Sequence, residues 1–122
     1  MKLPKLITTT KEGRRVYPIK LLVNDLELNE IVIDLHFEEK HPYMSDEKIY
    51  RIVKFLNNKS FIPTNRKNQY VYFETDIRYH DKNHRLVWCL EDNQDYLEVI
   101  DCYRASNYEK NKKDHEKQKS KK

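Results

Sequence analysis

The sequence predicts an α+β domain, a mostly antiparallel sheet of about five strands with one main amphipathic helix packed on one face, in the order β-β-α-β-β-β. Segments of alternating apolar and polar residues lie on both sides of a single stretch with helical spacing. Turn-forming runs such as NDLELN, DKNH and EDNQ separate those segments. Ser45 and the pair Asn57 and Asn58 bracket the helical stretch as start and stop signals.

Residues 1–14 hold a proline, a threonine run and Gly13 without sustained periodicity, and read as an irregular N-terminal arm. VYPIKLLV and EIVIDLHF read as two strands. In the second, Ile31, Ile33, Leu35 and Phe37 share one face and Val32, Asp34, His36 and Glu38 the other. Pro42 ends that strand. Ser45 is placed to cap a helix whose first turn carries Asp46 and Glu47, both favourable to the helix dipole. Ile49, Ile52, Val53 and Leu56 fall at i, i+3, i+4 and i+7, the stripe of a helix with one buried side.

The run NKSFIPTNRKN reads as a loop, and QYVYFETDIRYH as a long strand. Val71, Phe73, Ile77 and Tyr79 take its helix side, while Tyr70, Tyr72, Glu74, Asp76, Arg78 and His80 take the other. A hairpin over 85–104 follows. A turn centred on Asn93 and Gln94 pairs Cys89 with Glu98 and Cys102 with Arg85, and puts Arg85, Val87, Cys89, Ile100, Cys102 and Arg104 on the face away from the helix. The cysteines are then too far out of register for a disulfide, and are expected as reduced, half-buried thiols. The domain spans 15–107. Residues 108–122, lysine-rich and without aliphatic side chains, form a tail that is a frayed helix or disordered.

At 122 residues the chain is long enough to bury a core without metal or disulfide staples. It lacks the ~18 consecutive apolar residues of a membrane span, and MKLPKLITTTKEGRR has no long apolar segment of a secretory signal, so no membrane association and a cytoplasmic location are expected. The net charge of +4 resides in the tail, where seven lysines face Glu109, Asp114 and Glu116. With the segment from Lys2 to Lys20, which is also rich in basic residues, this tail could offer a local basic surface to nucleic acid, or it could simply be solvated. Gly13 is the only glycine, which excludes a glycine-rich phosphate loop. His36, His41, Cys89 and Cys102 lack the spacing of a zinc site, so neither metal nor other cofactor is expected.

The face opposite the helix is then expected to gather His36, Tyr70, Tyr72, Arg78, His80, Arg85 and Arg104, with Lys40, His41 and Tyr103 near the strand ends. Aromatic rings stack unpaired bases and arginines grip phosphate bidentately, so the mixture suits RNA. It also suits a solvent-facing antiparallel sheet, which is polar on one side. The early HFEEKH, the short amphipathic helix, then YVYFE, HRLVWCLED and YLEVIDCYR resemble the small metal-independent nucleases grouped with barnase, EndoU, colicin D and RelE, including phage and toxin members, over roughly residues 15–105.

The resemblance implies an endoribonuclease, toxin-like, acting on tRNA or mRNA and held by an antitoxin or immunity protein. A base removes the proton from a ribose 2′-OH, which attacks the adjacent phosphorus and leaves a 2′,3′-cyclic phosphate without metal. It implies His36 or His41 as base, with the other histidine or a tyrosine as acid. Lys40, Arg85 and Arg104 would stabilise the phosphorane and Tyr72 or Tyr103 would orient the nucleotide, with Tyr70, Arg78 and His80 contributing to binding. Some members rely on arginine, lysine and tyrosine in place of histidine. The competing reading is a non-catalytic interaction protein, an antitoxin, immunity protein or phage accessory factor, that docks through its tyrosine-rich sheet face, since Tyr and Arg are also favoured interface anchors.

Overall fold

The computed structural model describes residues 3–34 and 43–105. Its strands are β1 (Thr8–Thr9), β2 (Arg15–Val23), β3 (Leu26–Ile33), β4 (Asn65–Lys67), β5 (Tyr70–Tyr79), β6 (Lys82–Glu91) and β7 (Tyr96–Arg104), with helix α1 (Asp46–Val53) between β3 and β4. They form one seven-stranded sheet in the order β1-β2-β3-β7-β6-β5-β4. The α+β class and the single main helix stand; the five-strand, mostly antiparallel arrangement is corrected. Two short edge strands appear where an arm and a loop were expected, and β3 pairs with β7 in parallel, which makes the sheet mixed. A strand of two or three residues shows no alternation to read, and a parallel seam between distant segments leaves no local trace.

Two-residue turns set the registers. Asn24 and Asp25 both take positive φ (52° and 63°), as do His80 and Asp81 (51° and 59°), the backbone of the tight turns whose twist matches that of a hairpin. NDLELN is therefore mostly strand, because β3 begins at Leu26. The turn before β6 sits two residues earlier than DKNH suggested, which draws His84 into the sheet, where it is 2% exposed.

Ser45 caps α1 by accepting from the Lys48 N–H at 3.2 Å, and Ile49, Ile52, Val53 and Leu56 are fully buried. The helix is also anchored by charge. The Asp46 carboxylate accepts from Arg15 Nη2 at 2.6 Å, from Arg15 Nε, and from the Tyr17 hydroxyl at 2.7 Å. Burial, and then the hydrogen bond to Asp46, push the Tyr17 phenol up to about 12. The Tyr50 hydroxyl donates to the Pro18 carbonyl at 2.8 Å. Under the helix, Trp88 stacks on Phe73 with centroids 4.1 Å apart, and its indole N–H donates to Thr75 Oγ1 at 3.1 Å. Beyond the helix, Asn58 takes φ 63° and its N–H donates to the Leu22 carbonyl at 2.7 Å, tying the exit of the helix to β2.

One irregularity redirects the last strand. Cys89 pairs with Glu98 as the hairpin register requires, but the ladder shifts between Val87 and Trp88, where Val87 faces Asp101 and Trp88 faces Val99. Ile100 is the extra residue of a β-bulge, and beyond it every side chain changes face. Cys102 now pairs with Leu86 and Arg104 with His84, on the helix side, while Tyr103 pairs with Arg85 on the open side. The expectation that Arg85, Cys102 and Arg104 share the open face is thereby corrected. The cysteines lie on opposite faces, and they are buried (2% and 0% exposed) where half-burial was expected. Burial pushes both thiols up to about 12.

Candidate nucleic-acid interface

On the open face, Arg85 and Arg14 are held by carboxylates. Arg85 donates from Nε to Asp76 Oδ1 at 2.7 Å, from Nη2 to Asp76 Oδ2 at 3.2 Å and from Nη1 to Glu74 Oε1 at 2.9 Å. Arg14 Nε lies 3.4 Å from Glu98 Oε2 and 3.7 Å from Asp34 Oδ2. Burial raises the Glu98 carboxyl above the usual range despite Arg14. The Tyr96 hydroxyl donates to Glu91, and its phenol is raised by burial and by that bond. A phosphate approaching this surface would have to displace carboxylates before meeting Arg85.

The expected site residues thus separate. Arg85 and Tyr103 are neighbours on the open face, where half-buried Tyr70 and Tyr72 stand opposite Glu91 and Cys89 and exposed Arg78 stands opposite Asn83. His80 sits in the β5–β6 turn, and Arg104 lies on the helix side. His36, Lys40 and His41 lie outside the described residues.

A second group assembles at the helix-side edge, where the end of β7, the starts of α1 and β6 and the end of β5 meet. The Tyr43 hydroxyl accepts from the Arg104 N–H at 3.1 Å, and the Arg104 guanidinium lies 4.5 Å from the centroid of the Tyr43 ring, within cation–π range. Lys48 Nζ reaches the Tyr43 carbonyl at 3.5 Å. Behind them His84 Nδ1 donates to the Lys82 carbonyl at 3.0 Å. Burial lowers the His84 pKa, and Lys48, Arg104 and His80 add to the effect, so the ring favours its neutral form and is a structural group more than a proton carrier.

Tyr79 continues the chain of contacts. It meets His84 and His80 edge-on, with centroids 5.9 Å and 4.3 Å away, and Phe55 at 6.2 Å. Its hydroxyl lies near enough to the Arg51 guanidinium to raise the arginine's pKa, and Arg51 also pairs with Glu47 at 2.7 Å. Lys54 Nζ lies 5.9 Å from the Tyr50 ring centroid. The helix therefore presents Lys48, Arg51, Lys54 and Phe55 beside Arg104, Tyr43 and Tyr79, cations interleaved with rings. Reading the helix for its apolar stripe passes over this group, although Lys48, Arg51 and Phe55 at i, i+3 and i+7 flank that stripe on one side.

Such an edge can grip phosphates and stack unpaired bases at once. No group of three or more His, Cys, Asp or Glu is placed to hold a metal ion among the described residues, and no helix there is long and apolar enough to cross a membrane. Comparison of the chain with protein-family models, curated proteins and solved structures found no match.

Proposed function

We propose that the chain binds single-stranded RNA at the helix-side edge of its sheet and acts on it as a metal-independent endoribonuclease. The observation that supports the binding is two groups of cations and rings on this edge, Arg104 and Lys48 with Tyr43 in one and Arg51 with Tyr79 and Phe55 in the other. Arg104 is the guanidinium assigned to the phosphorane, whereas Arg85 is engaged by Asp76 and Glu74. His36 or His41 supplies the base, as the resemblance to the barnase, EndoU, colicin D and RelE group implies, and tRNA or mRNA is the substrate class. The test is incubation of purified protein with total RNA in EDTA, followed by mapping of the cleaved ends for wild type, His36→Ala, His41→Ala and Arg104→Ala. New ends bearing 2′,3′-cyclic phosphate, lost in a histidine variant and in Arg104→Ala, support the reading. Unaltered RNA refutes cleavage.

A second reading, the non-catalytic docking protein, draws on the tyrosine-rich open face, where Tyr70, Tyr72 and Tyr103 accompany an Arg85 already engaged by Asp76 and Glu74, residue types that anchor protein interfaces. Expression separates the two. A toxic ribonuclease arrests growth when produced alone and Arg104→Ala relieves it, whereas harmless expression of a folded wild type favours docking, with an antitoxin, immunity protein or accessory factor as the partner class.

A further inference from the structure

We propose that the uncovered edge of β5 pairs with the same edge of a second copy of this chain, antiparallel about a two-fold axis through Ile77, so that one sheet runs across both molecules. The RNA reading is not needed for it. β4 covers β5 only from Tyr70 to Tyr72. Thr64 ends that cover, giving both its N–H (2.8 Å) and its hydroxyl (3.1 Å) to the Tyr72 carbonyl. Pro63, just before it, has no N–H with which to extend the ladder. From Phe73 to Tyr79 no described strand lies beside β5 on that side. The pair Tyr79 and Lys82 closes a two-residue turn and so exchanges its hydrogen bonds inward, with β6. Alternation then turns the N–H and C=O of Glu74, Asp76 and Arg78 outward, in step with the Tyr72 carbonyl that Thr64 binds. Native edges are commonly blunted by proline, lysine or a bulge. FETDIRY contains neither proline nor lysine, and it pairs with β6 without a register shift.

The side chains select the occupant. A strand from any protein would satisfy those backbone groups, but the charges of β5 are self-complementary. With Ile77 on the axis, each Asp76 stands opposite the Arg78 of the other copy, and both such pairs are of the hydrogen-bonded kind. Moving the axis to Thr75 sets Glu74 against Asp76, and moving it to Asp76 sets that carboxylate against itself; like charges directly opposite are destabilising. Glu74, Asp76 and Arg78 are exposed, and Arg78 has no carboxylate partner among the described residues. Asp76 has room for a second cation. Arg85 takes one site on each of its oxygens and the side chain is 44% exposed, whereas a carboxylate offers about four acceptor sites. On the helix side the same register brings Ile77 against Ile77 and Thr75 against Tyr79. A groove of about 230 Å³, walled by Phe55, Leu56 and Phe61 and by the edge from Thr75 to Arg78, receives the incoming side chains.

Sedimentation equilibrium of the full chain, 15.0 kDa as a monomer, is expected to show a concentration-dependent rise to twice that mass. Amide exchange at Asp76 and Arg78 slows as the dimer forms. Arg78→Glu sets two pairs of like charges across the seam and weakens the dimer on the order of 10- to 100-fold. Asp76→Lys does the same with the opposite sign, and an equimolar mixture of the two variants regains the dimer, because every seam pair is then of opposite charge. Arg78→Pro removes an outward N–H that the monomer's ladder does not use, and abolishes association. Wild type that stays monomeric overturns the proposal. So does a dimer that Arg78→Glu and Arg78→Pro leave intact, or one in which the Asp76 and Arg78 amides exchange as freely as in the monomer. Single variants that dissociate and do not recover on mixing overturn the axis at Ile77. Far-UV circular dichroism of each variant reports the fold, and the two Arg78 variants keep the test decisive should Asp76→Lys, which removes a partner of Arg85, lose structure.

Discussion

Replacing Asp46 with alanine removes the carboxylate that joins the start of α1 to β2. The side chains of Arg15 and Asp46 are 13% and 15% exposed, so the pair sits between the surface and fully buried regimes. Truncating one partner of a buried pair costs about 3–5 kcal/mol, and partial exposure lowers that to about 2–3 kcal/mol here. The Tyr17 hydroxyl loses its acceptor as well, for roughly 1 kcal/mol, and the first turn loses a charge favourable to the helix dipole, for about 0.5 kcal/mol. The expected loss is therefore about 3.5–4.5 kcal/mol, or more than 10 °C in Tm at roughly 4 °C per kcal/mol for a domain of this size. Urea unfolding followed by the fluorescence of Trp88, the only tryptophan and fully buried, measures it directly. Asp46→Asn, which keeps one carbonyl acceptor, should recover part of the loss, and Arg15→Met combined with Asp46→Ala should cost less than the sum of the single changes. A loss for Asp46→Ala below about 0.5 kcal/mol, the range of an ordinary surface change, would refute the reasoning.

Three other predictions concern titration and reactivity. His84 has a folded pKa below its ordinary 6.5, so the unfolded chain takes up the proton first as pH falls. Stability is fully present above that value and declines as pH drops from it towards the depressed folded pKa, and urea midpoints between pH 7.5 and 5 should fall less steeply in His84→Gln. Glu98 is the opposite case, with a folded pKa above the ordinary carboxyl value of 4.5. Its contribution is greatest below 4.5 and is lost as pH rises through the folded pKa, so Glu98→Gln should raise Tm by roughly a few degrees at pH 7.5 and leave it nearly unchanged at pH 4. With thiol pKa values of about 12, Cys89 and Cys102 should resist a thiol reagent at pH 8 in the native protein and react fully in urea; rapid native labelling of either would contradict its burial.

Local signals carried the helix and the long strands. Ser45, the acidic first turn, the stripe from Ile49 to Leu56 and the positive φ at Asn58 are each readable within a few positions, because capping and amphipathicity are short-range effects. Alternation in QYVYFETDIRYH placed Val71, Phe73, Ile77 and Tyr79 on the helix side, where Phe73 and Ile77 are buried and Val71 and Tyr79 pack against the core. The register of Cys89 against Glu98 was also legible from the turn. The bulge at Ile100 was not. YLEVIDCYR alternates imperfectly, and counting outward from Asn93 cannot reveal an unpaired residue whose place depends on how β6 and β7 twist over the helix. That single residue moved Arg104 away from Arg85 and with it the expected phosphate site. The cation and ring edge was hidden for a similar reason, since Tyr43, Tyr79 and Arg104 come from three separate segments that meet only in the assembled sheet.

The parallel seam between β3 and β7 bears on how the chain matures during synthesis. Glu30 to Ile33 lie against Tyr96 to Val99, and beside them Asn29 Nδ2 donates to Asp95 Oδ2 across 66 positions. The β2–β3 hairpin is translated well before the strand that closes one margin of LELNEIVI, which stays unzipped until β7 follows. Throughout that interval the nascent chain displays an adhesive border, so its yield in the cell depends on elongation speed and on chaperone cover as much as on the stability of the finished domain.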